Sequence, residues 1–170
     1  MKWLAYRSQL DSRLVIICTV LLLAVSLLAA CGGTATPTSG QRIAFTSIRD
    51  GDFEVYVMNA DGSKQARVTS NQDNEGQPAW SPDGSRIAFA SSRNQNWDVY
   101  IISADGTDES RLTQNSTYDE FPAWSPDGTK IAFQSDRDGD FEIYAMSAIG
   151  SEQTRLTRSQ GDDVFPAWVP

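Results

Sequence analysis

The stretch Pro78–Gly84 (PAWSPDG), followed by Arg86–Ser91 (RIAFAS), decides the fold class of this chain. Within it, Ser81-Pro82-Asp83-Gly84 has the composition of a type I turn. Proline presets φ at the second position, and glycine tolerates positive φ at the last. The six residues after the turn are almost continuously apolar or small, which is typical of a strand buried on both faces. The stretch therefore predicts two strands joined by a tight turn.

The same pattern occurs three times, at a spacing of 44 residues without insertion or deletion. The aligned positions are Ile43, Ile87 and Ile131; Phe45, Phe89 and Phe133; Tyr56, Tyr100 and Tyr144; and Trp80, Trp124 and Trp168. A fixed period of this length indicates an array of supersecondary units. Because the units contain only strand and turn signals, we expect β-propeller blades rather than helical repeats.

Each repeat divides into four short strands. In the middle repeat, Asp98–Ser103 (DVYIIS) follows the RIAFAS strand, Ala104–Thr107 forms a turn, and Arg111–Thr113 (RLT) is a short polar outer strand. Short polar strands protect the edge of a sheet from pairing with other chains. The prediction is an all-β fold of three four-stranded antiparallel blades over residues 41–170, with repeats starting near 43, 87 and 131. Closed propellers typically have four to eight blades, so this propeller is incomplete.

The motif PAWSPDGxxIAFxS, followed by YxxxADG and RLT, resembles the WD-like β-propeller repeat of the TolB family. The resemblance covers residues 42–170. It implies six blades, an extracytoplasmic location and a role in the cell envelope. The same repeat occurs in propeller domains that cap some serine peptidases.

The residues before the repeats have the pattern of an export signal. Basic residues come first, Leu14–Ala30 is almost wholly apolar, and Leu28-Ala29-Ala30-Cys31 resembles a bacterial lipobox. We expect a lipoprotein signal peptide at 1–30, lipidation of Cys31, and a Gly-, Ser- and Thr-rich flexible tether at 31–40. The alternative is a transmembrane anchor, since the apolar run is close to the length that spans a bilayer.

Charge and composition exclude several functions. The chain has 14 basic and 22 acidic residues, and this acidic balance argues against binding to nucleic acid or directly to anionic lipid. It has no histidine, and its two cysteines are Cys18 and Cys31. We therefore expect no catalytic triad, no His-ligated metal and no cofactor, and hence no enzyme. The acidic loop 136–142 lacks the bidentate glutamate of a calcium loop, so we interpret it as a connection between strands.

An acidic cluster precedes each PAW motif, and aromatic residues accompany two of the clusters. In the resemblance, the PAW strand lines the central channel, so these side chains would surround one mouth of it. The predicted partner-binding residues are Asp73, Glu75, Tyr118, Asp119, Glu120, Phe121, Asp162, Asp163 and Phe165. The alternative interpretation is a set of solvated loops that keep the protein soluble.

The favoured function is a lipid-anchored extracytoplasmic binding or scaffold module with a protein partner in the cell envelope. One alternative is a truncated remnant of a longer propeller or of a peptidase propeller domain. Another is a sensor of a small ligand or a cation. The first repeat lacks a PAW strand, and the last PAW strand, Phe165–Trp168, has no blade after it. Because the last strand of one chain could complete the first blade of another, we also predict a strand-swapped homodimer.

Overall fold

The structure, a computed structural model, describes residues 40–169, and each described element is a strand, a turn or an irregular segment. Cys31, the predicted signal peptide and the predicted tether up to Ser39 lie outside the described residues. The strands are β1 (Arg42–Ser47), β2 (Glu54–Asn59), β3 (Ala66–Arg67), β4 (Glu75–Trp80), β5 (Arg86–Ser91), β6 (Asp98–Ser103), β7 (Ser110–Arg111), β8 (Asp119–Trp124), β9 (Lys130–Ser135), β10 (Glu142–Ser147) and β11 (Thr154–Arg155).

The strands form three antiparallel sheets, one for each repeat. Blade 1 has three strands in the order β1-β2-β3, whereas blade 2 (β4 to β7) and blade 3 (β8 to β11) have four strands each in sequence order. We call β4 and β8 the inner strands, because each begins a complete blade and the two contact each other across the blade boundary. Blade 1 has no such strand among the described residues.

The turns and strands follow the local sequence signals. The Gly84 amide donates to the Ser81 carbonyl at 2.8 Å, and Gly84 has a φ of 66°, as the SPDG turn predicts. In β5 every residue after Arg86 is buried, and in β6 every residue before Ser103 is buried. These strands are covered on both faces because a blade packs on each side of them.

An aromatic stack recurs in each blade. In blade 2 the rings of Phe89 and Tyr100 lie 5.8 Å apart, and the guanidinium of Arg93 lies 4.3 Å from the Tyr100 ring centre. The stack combines apolar burial with a cation–π contact. Its repetition in blades 1 and 3 explains why the tyrosine and phenylalanine positions keep their register.

Two apolar cores lie between the blades. Between blades 1 and 2, the core includes Val55 and Val57 on one side and Phe89 and Ile102 on the other. Between blades 2 and 3, the core is built from Ala88, Val99, Ile101, Leu112, Trp124, Ile131, Phe133, Tyr144 and Met146. Packing between blades, rather than within one sheet, therefore buries most of the apolar surface.

Each inner strand contains a bulge that the sequence analysis did not predict. The register of β4 against β5 shifts between Gly76 and Ala79, and Gln77 within this shift has a φ of 57°. A bulge is one of the few places in a sheet where proline, which has no amide hydrogen, is tolerated. Pro78 occupies that place in β4, and Pro122 occupies it in β8 after Phe121, whose φ is 52°.

The fold class predicted from the repeats is confirmed: the protein is all-β and consists of propeller blades that form an incomplete propeller. The outer strand differs in extent from the prediction. It covers Ser110–Arg111 rather than Arg111–Thr113, because Thr113 turns inward and its hydroxyl accepts a 2.9 Å hydrogen bond from the Val99 amide.

Candidate binding surface at the inner strands

The acidic residues predicted to surround the channel mouth separate into a buried group and a more exposed group. Glu75 and Asp119 are completely buried, so neither is available to a partner in this conformation. Asp73, Glu120 and Asp163 are half-buried, and Asp162 is exposed. The continuous ring of surface carboxylates expected from the sequence is therefore not formed, because two of its members belong to the interior.

The buried carboxylates pair with arginine side chains of their own blades. Glu75 accepts a 2.8 Å hydrogen bond from the Ser91 hydroxyl and lies 3.4 Å from a guanidinium nitrogen of Arg93. Asp119 lies 3.0 Å from Arg137 and accepts a 2.5 Å hydrogen bond from the Asn115 side-chain amide. Buried charges are tolerated when they are paired in this way.

Each buried carboxylate also faces an acidic residue of the preceding blade. The pKa of Glu75 is raised to about 7, chiefly by burial and also by the neighbouring carboxylate of Glu54, while hydrogen bonds from Asn71 and Ser91 oppose the rise. At the boundary between blades 2 and 3, burial raises the pKa of Asp98. The charge of Arg111 opposes this rise, and the charge of Asp119 adds to it. These pairs connect neighbouring blades and are part of the core.

Two of the three predicted aromatic residues, the half-buried Phe121 and the exposed Phe165, come together next to the inner strands. The rings of Phe121 and Phe165 pack edge to face with centroids 4.5 Å apart, and Phe165 is 64% exposed. Together with neighbouring side chains they line a shallow cavity of about 240 Å³. We call this surface the inner-strand patch; its residues are Gln77, Pro78, Phe121, Pro122, Phe165 and Pro166.

Polar groups border the inner-strand patch. Gln77 donates to one carboxylate oxygen of Glu120 at 3.4 Å, and Gln134 donates to the other at 3.4 Å. The side-chain carbonyl of Gln77 accepts a 2.7 Å hydrogen bond from the Phe121 amide. Burial raises the pKa of Glu120, and both amide donors oppose that rise. The patch thus has an apolar centre and a carboxylate with restrained geometry at its side.

The other predicted residues lie away from the patch. Tyr118 is 46% exposed in the loop before β8, where its amide donates to Asp136 at 2.7 Å. Asp162 accepts a 3.0 Å hydrogen bond from the Phe141 amide, and Asp73 donates its own amide to Asn71 at 2.8 Å. The structure therefore joins Glu120, Phe121 and Phe165 and leaves Tyr118, Asp73 and Asp162 in loops.

Gln77 and the three prolines were missed by the sequence reasoning. Their signal is the residue pair before each Ala-Trp: Gln77-Pro78, Phe121-Pro122 and Phe165-Pro166. Gln77, Phe121 and Phe165 all have positive φ, from 52° to 57°. This left-handed conformation is rare for residues with a side chain and recurs here at one position of each inner segment.

Residues 40–169 contain no group of three or more acidic, histidine or cysteine side chains placed to hold a metal ion. In the same range, no helix has the length and apolar character needed to cross a membrane. Asp138, in the loop considered as a calcium site, accepts hydrogen bonds from the Tyr144 hydroxyl and from Arg155.

Comparison with known proteins gives the family. The profile of the TolB beta propeller domain matches residues 34–170, starting inside the segment predicted as a tether. A TolB structure from Agrobacterium tumefaciens has 29% identity and a TM-score of 0.65 over 69% of this chain and 46% of that one. For TolB from Acinetobacter baumannii the identity is 26% and the TM-score 0.63, over 72% and 32% of the two chains.

The chain thus spans less than half the length of either TolB structure. A puromycin hydrolase shares the fold at 12% identity and a TM-score of 0.61, over 79% of this chain and 23% of the hydrolase. None of the curated protein sequences matches the chain significantly. The repeat, the blade topology and the family profile agree, and this chain belongs to the TolB beta propeller domain family.

Proposed function

We propose that the protein is a non-catalytic binding module held in the cell envelope by a lipid on Cys31, on the periplasmic side or at the cell surface. The similarity to TolB structures supports an extracytoplasmic protein-binding role. The Leu28–Cys31 motif supports the lipid anchor. The acidic composition supports attachment through the lipid rather than through charge.

The observation that carries the proposal is the inner-strand patch. Phe165 exposes 64% of its surface next to Phe121 and the prolines, although a buried environment would be favourable for such a ring. Exposed aromatic groups with a polar border are typical of the centre of protein interfaces. We infer a partner segment that places an apolar side chain between Phe121 and Phe165 and a basic or amide group near Glu120. We propose that Asp162, Asp163, Asp73 and Tyr118, which lie in loops outside the patch, make separate contacts with the partner.

The proposal of a non-catalytic role rests on the chemistry of the described surface. The sequence offers no histidine, and its cysteines, Cys18 and Cys31, lie outside the blades. Each buried carboxylate of the described residues is paired with an arginine of its own blade; these are Glu54, Glu75, Asp98, Asp119 and Glu142. Oligogalacturonate lyase and puromycin hydrolase share this fold at 12% to 14% identity, which supports a likeness of fold and not of activity.

Photo-crosslinking in intact cells tests the binding surface. A photoreactive amino acid replacing Phe165 should form a crosslink to another envelope protein, and Phe121→Ala in the same chain should reduce its yield. The matched control replaces Phe53, which is 46% exposed in the loop between β1 and β2 and lies outside the patch. Equal crosslinking at both positions, or none at Phe165, would contradict the proposed surface.

The lipid anchor has a separate test. Cys31→Ser should abolish incorporation of a labelled fatty acid and change the mass of the mature protein. A mature protein with an N-terminus other than Cys31 and without an acyl group would overturn this part of the proposal. We also propose a second copy of the chain as a partner, for which the structure carries a more detailed argument.

A further inference from the structure

The blades of this protein are joined by a repeated hydrogen bond between tryptophan and alanine. The indole nitrogen of Trp124 in blade 3 donates to the carbonyl of Ala79 in blade 2 at 3.1 Å. The indole nitrogen of Trp168 donates to the carbonyl of Ala123 at 3.0 Å. Each tryptophan thus binds the PAW alanine one repeat before it, across the blade boundary.

The first tryptophan of the series lacks this bond. The indole nitrogen of Trp80 is buried and has no hydrogen-bond acceptor among residues 40–169. A buried donor without an acceptor destabilises the folded state. The missing acceptor corresponds to the alanine carbonyl of an inner strand in blade 1, which has none in the described residues. At the other end of the molecule, Ala167 occupies the equivalent position and is exposed.

The two outer faces of the array are also incompletely covered, and they correspond to faces that are buried inside it. Ile43 on blade 1 is 40% exposed, whereas its equivalents Ile87 and Ile131 are fully buried. Leu156 on blade 3 is 55% exposed, whereas its equivalent Leu112 is 7% exposed. The exposed face of blade 1 thus matches the faces with which blades 2 and 3 pack against the preceding blade. The exposed face of blade 3 matches the faces with which blades 1 and 2 pack against the following blade.

The glycine turn that follows β2, β6 and β10 shows the same difference between the end of the array and its interior. A Cβ at Gly106 would lie 3.1 Å from the Val68 carbonyl oxygen of blade 1, and one at Gly150 would lie 2.8 Å from the Leu112 carbonyl oxygen of blade 2. A Cβ at the equivalent Gly62 would meet no atom within 4 Å. The turn in blade 1 therefore lacks the carbonyl against which its counterparts pack.

An open groove lies beside Trp80 where the missing strand would run. It has a volume of about 570 Å³, and its lining includes Ile43 at the start of β1, Ala60 after β2 and Trp80 at the end of β4. The guanidinium of Arg42 stacks 4.5 Å from the Trp80 ring at its side. The groove combines an open strand edge, an apolar floor and a nearby indole donor that needs a carbonyl.

We propose that this groove binds Phe165–Trp168 of a second copy of the chain, which completes blade 1 as its inner strand. The pairing follows the register of the complete blades, where Ala79 lies opposite Ala88 and Trp80 opposite Ile87. Ala167 of the second copy then lies opposite Ala44, and Trp168 of the second copy opposite Ile43. The indole of Trp80 donates to the carbonyl of Ala167 of the second copy, and Leu156 of the second copy packs against blade 1.

The groove and its proposed occupant lie at opposite ends of the array of described blades. Two copies related by a two-fold axis can therefore exchange this segment reciprocally, so that both grooves are filled in a closed ring of two copies. The groove is lined by residues other than those of the inner-strand patch, but its proposed occupant includes Phe165 and Pro166 of that patch. A crosslink from Phe165 to a second copy would support this inference, whereas a crosslink to another envelope protein would support the proposed binding function.

Disulfide trapping tests the register directly. Ala44→Cys and Ala167→Cys are introduced singly, each in the full chain, and the two variants are produced together in one cell and purified in detergent. Directly opposed residues of antiparallel strands lie at a separation that a disulfide can bridge. We expect a covalent dimer, visible without reductant, only when both variants are present. Each single variant alone is the control for background reaction of Cys18 and Cys31.

A second pair of variants tests the face of blade 3. Leu156→Asp should weaken the dimer roughly ten- to a hundredfold in Kd, as expected from losing the burial of one leucine, measured by sedimentation in detergent. Ile149→Asp is the matched control: Ile149 is 79% exposed, and the other repeats already have Asp61 and Asp105 at this position. A monomer at every concentration tested, without a mixed disulfide, would overturn the inference, as would open oligomers larger than two.

Discussion

At the scale of single residues, the acidic positions of the repeat act in the interior more than at the surface. The clusters before each PAW motif look alike in sequence, but Glu75 and Asp119 are fully buried beside arginine, while Asp163 at the same position of the repeat is only half-buried. The difference follows from position: residues 75 and 119 begin the inner strands of complete blades, whereas residue 163 lies in a segment that is not part of a strand. A buried carboxylate needs a partner of opposite charge. Glu75 pairs with Arg93 and Asp119 with Arg137, each in the loop that follows the second strand of the blade.

The buried carboxyl group of Glu75 predicts a pH dependence of stability. Its pKa of about 7 lies above the ordinary value of 4.5, so the folded protein keeps a proton that the unfolded chain releases between these pH values. The free energy of unfolding should therefore fall as pH rises from about 4.5 to 7, by at most about 1.4 kcal/mol for each pH unit. Glu75→Gln should flatten this slope in denaturant titrations from pH 5 to 8.

Asp83→Asn is the control for that measurement. Hydrogen bonds from Ser81 and Ser85 lower the pKa of Asp83 to about 2, so this carboxylate stays ionised throughout the range from pH 5 to 8. Its substitution should leave the slope unchanged in this range, whatever it does to the overall stability. An equal loss of slope in both variants would show that Glu75 is not the titrating group.

At the scale of elements, the unit of stability is a pair of neighbouring blades. Each sheet is only three or four strands wide, and its outer strand has two residues. Isolated sheets of this size need an apolar face covered by a neighbour. The close approach of the Gly150 turn to the Leu112 carbonyl is one point where such a pair is joined, and the Trp124 indole bond to Ala79 is another.

Two glycine substitutions separate blade packing from backbone strain. Gly62 has a φ of 82° and Gly150 a φ of 83°, so alanine is strained to a similar extent at both positions. At Gly150 the new methyl group would also collide with the Leu112 carbonyl, whereas at Gly62 it would meet open space within the monomer. Gly150→Ala should therefore lower the melting temperature more than Gly62→Ala at concentrations where the protein is monomeric. Equal effects at both positions would contradict the importance of this contact.

At the scale of the whole molecule, the three blades form an open array with two unequal ends. One end exposes Ile43 and carries the unpaired indole of Trp80. The other end exposes Leu156 and the segment that contains Ala167. An array of repeats usually needs polar terminal units to stay soluble. Here the exposed ends match the buried boundaries, which is the basis of the proposed two-copy ring.

The ring predicts that stability depends on protein concentration. Because association favours the folded state by mass action, the melting temperature of the full chain should rise as its concentration is raised through the dimer Kd. Leu156→Asp should remove this dependence and Ile149→Asp should keep it. A melting temperature that is independent of concentration, together with a monomeric mass, would contradict the prediction.

The sequence by itself determined the fold class. The period of 44 residues, the SPDG turn with its terminal Gly84 and the continuous apolar run of RIAFAS are local signals, and the blades reproduce each of them. The four-strand order of the complete blades also followed directly. Local geometry and hydrophobic pattern suffice for these, because they depend on neighbours in the chain.

Only the tertiary structure decided which side chains are available for binding. Glu75 and Glu120 both belong to the acidic clusters before the PAW motifs, yet one is buried beside Arg93 and the other borders the inner-strand patch. Phe121, at the bulge of β8, contacts Phe165, and further contacts of this kind join residues that are 31 to 45 positions apart in the sequence. The indole of Trp80, in contrast, has no partner among the described residues. Burial depends on the neighbouring blade, and a repeat that is identical in sequence has different neighbours at the centre and at the ends of the array.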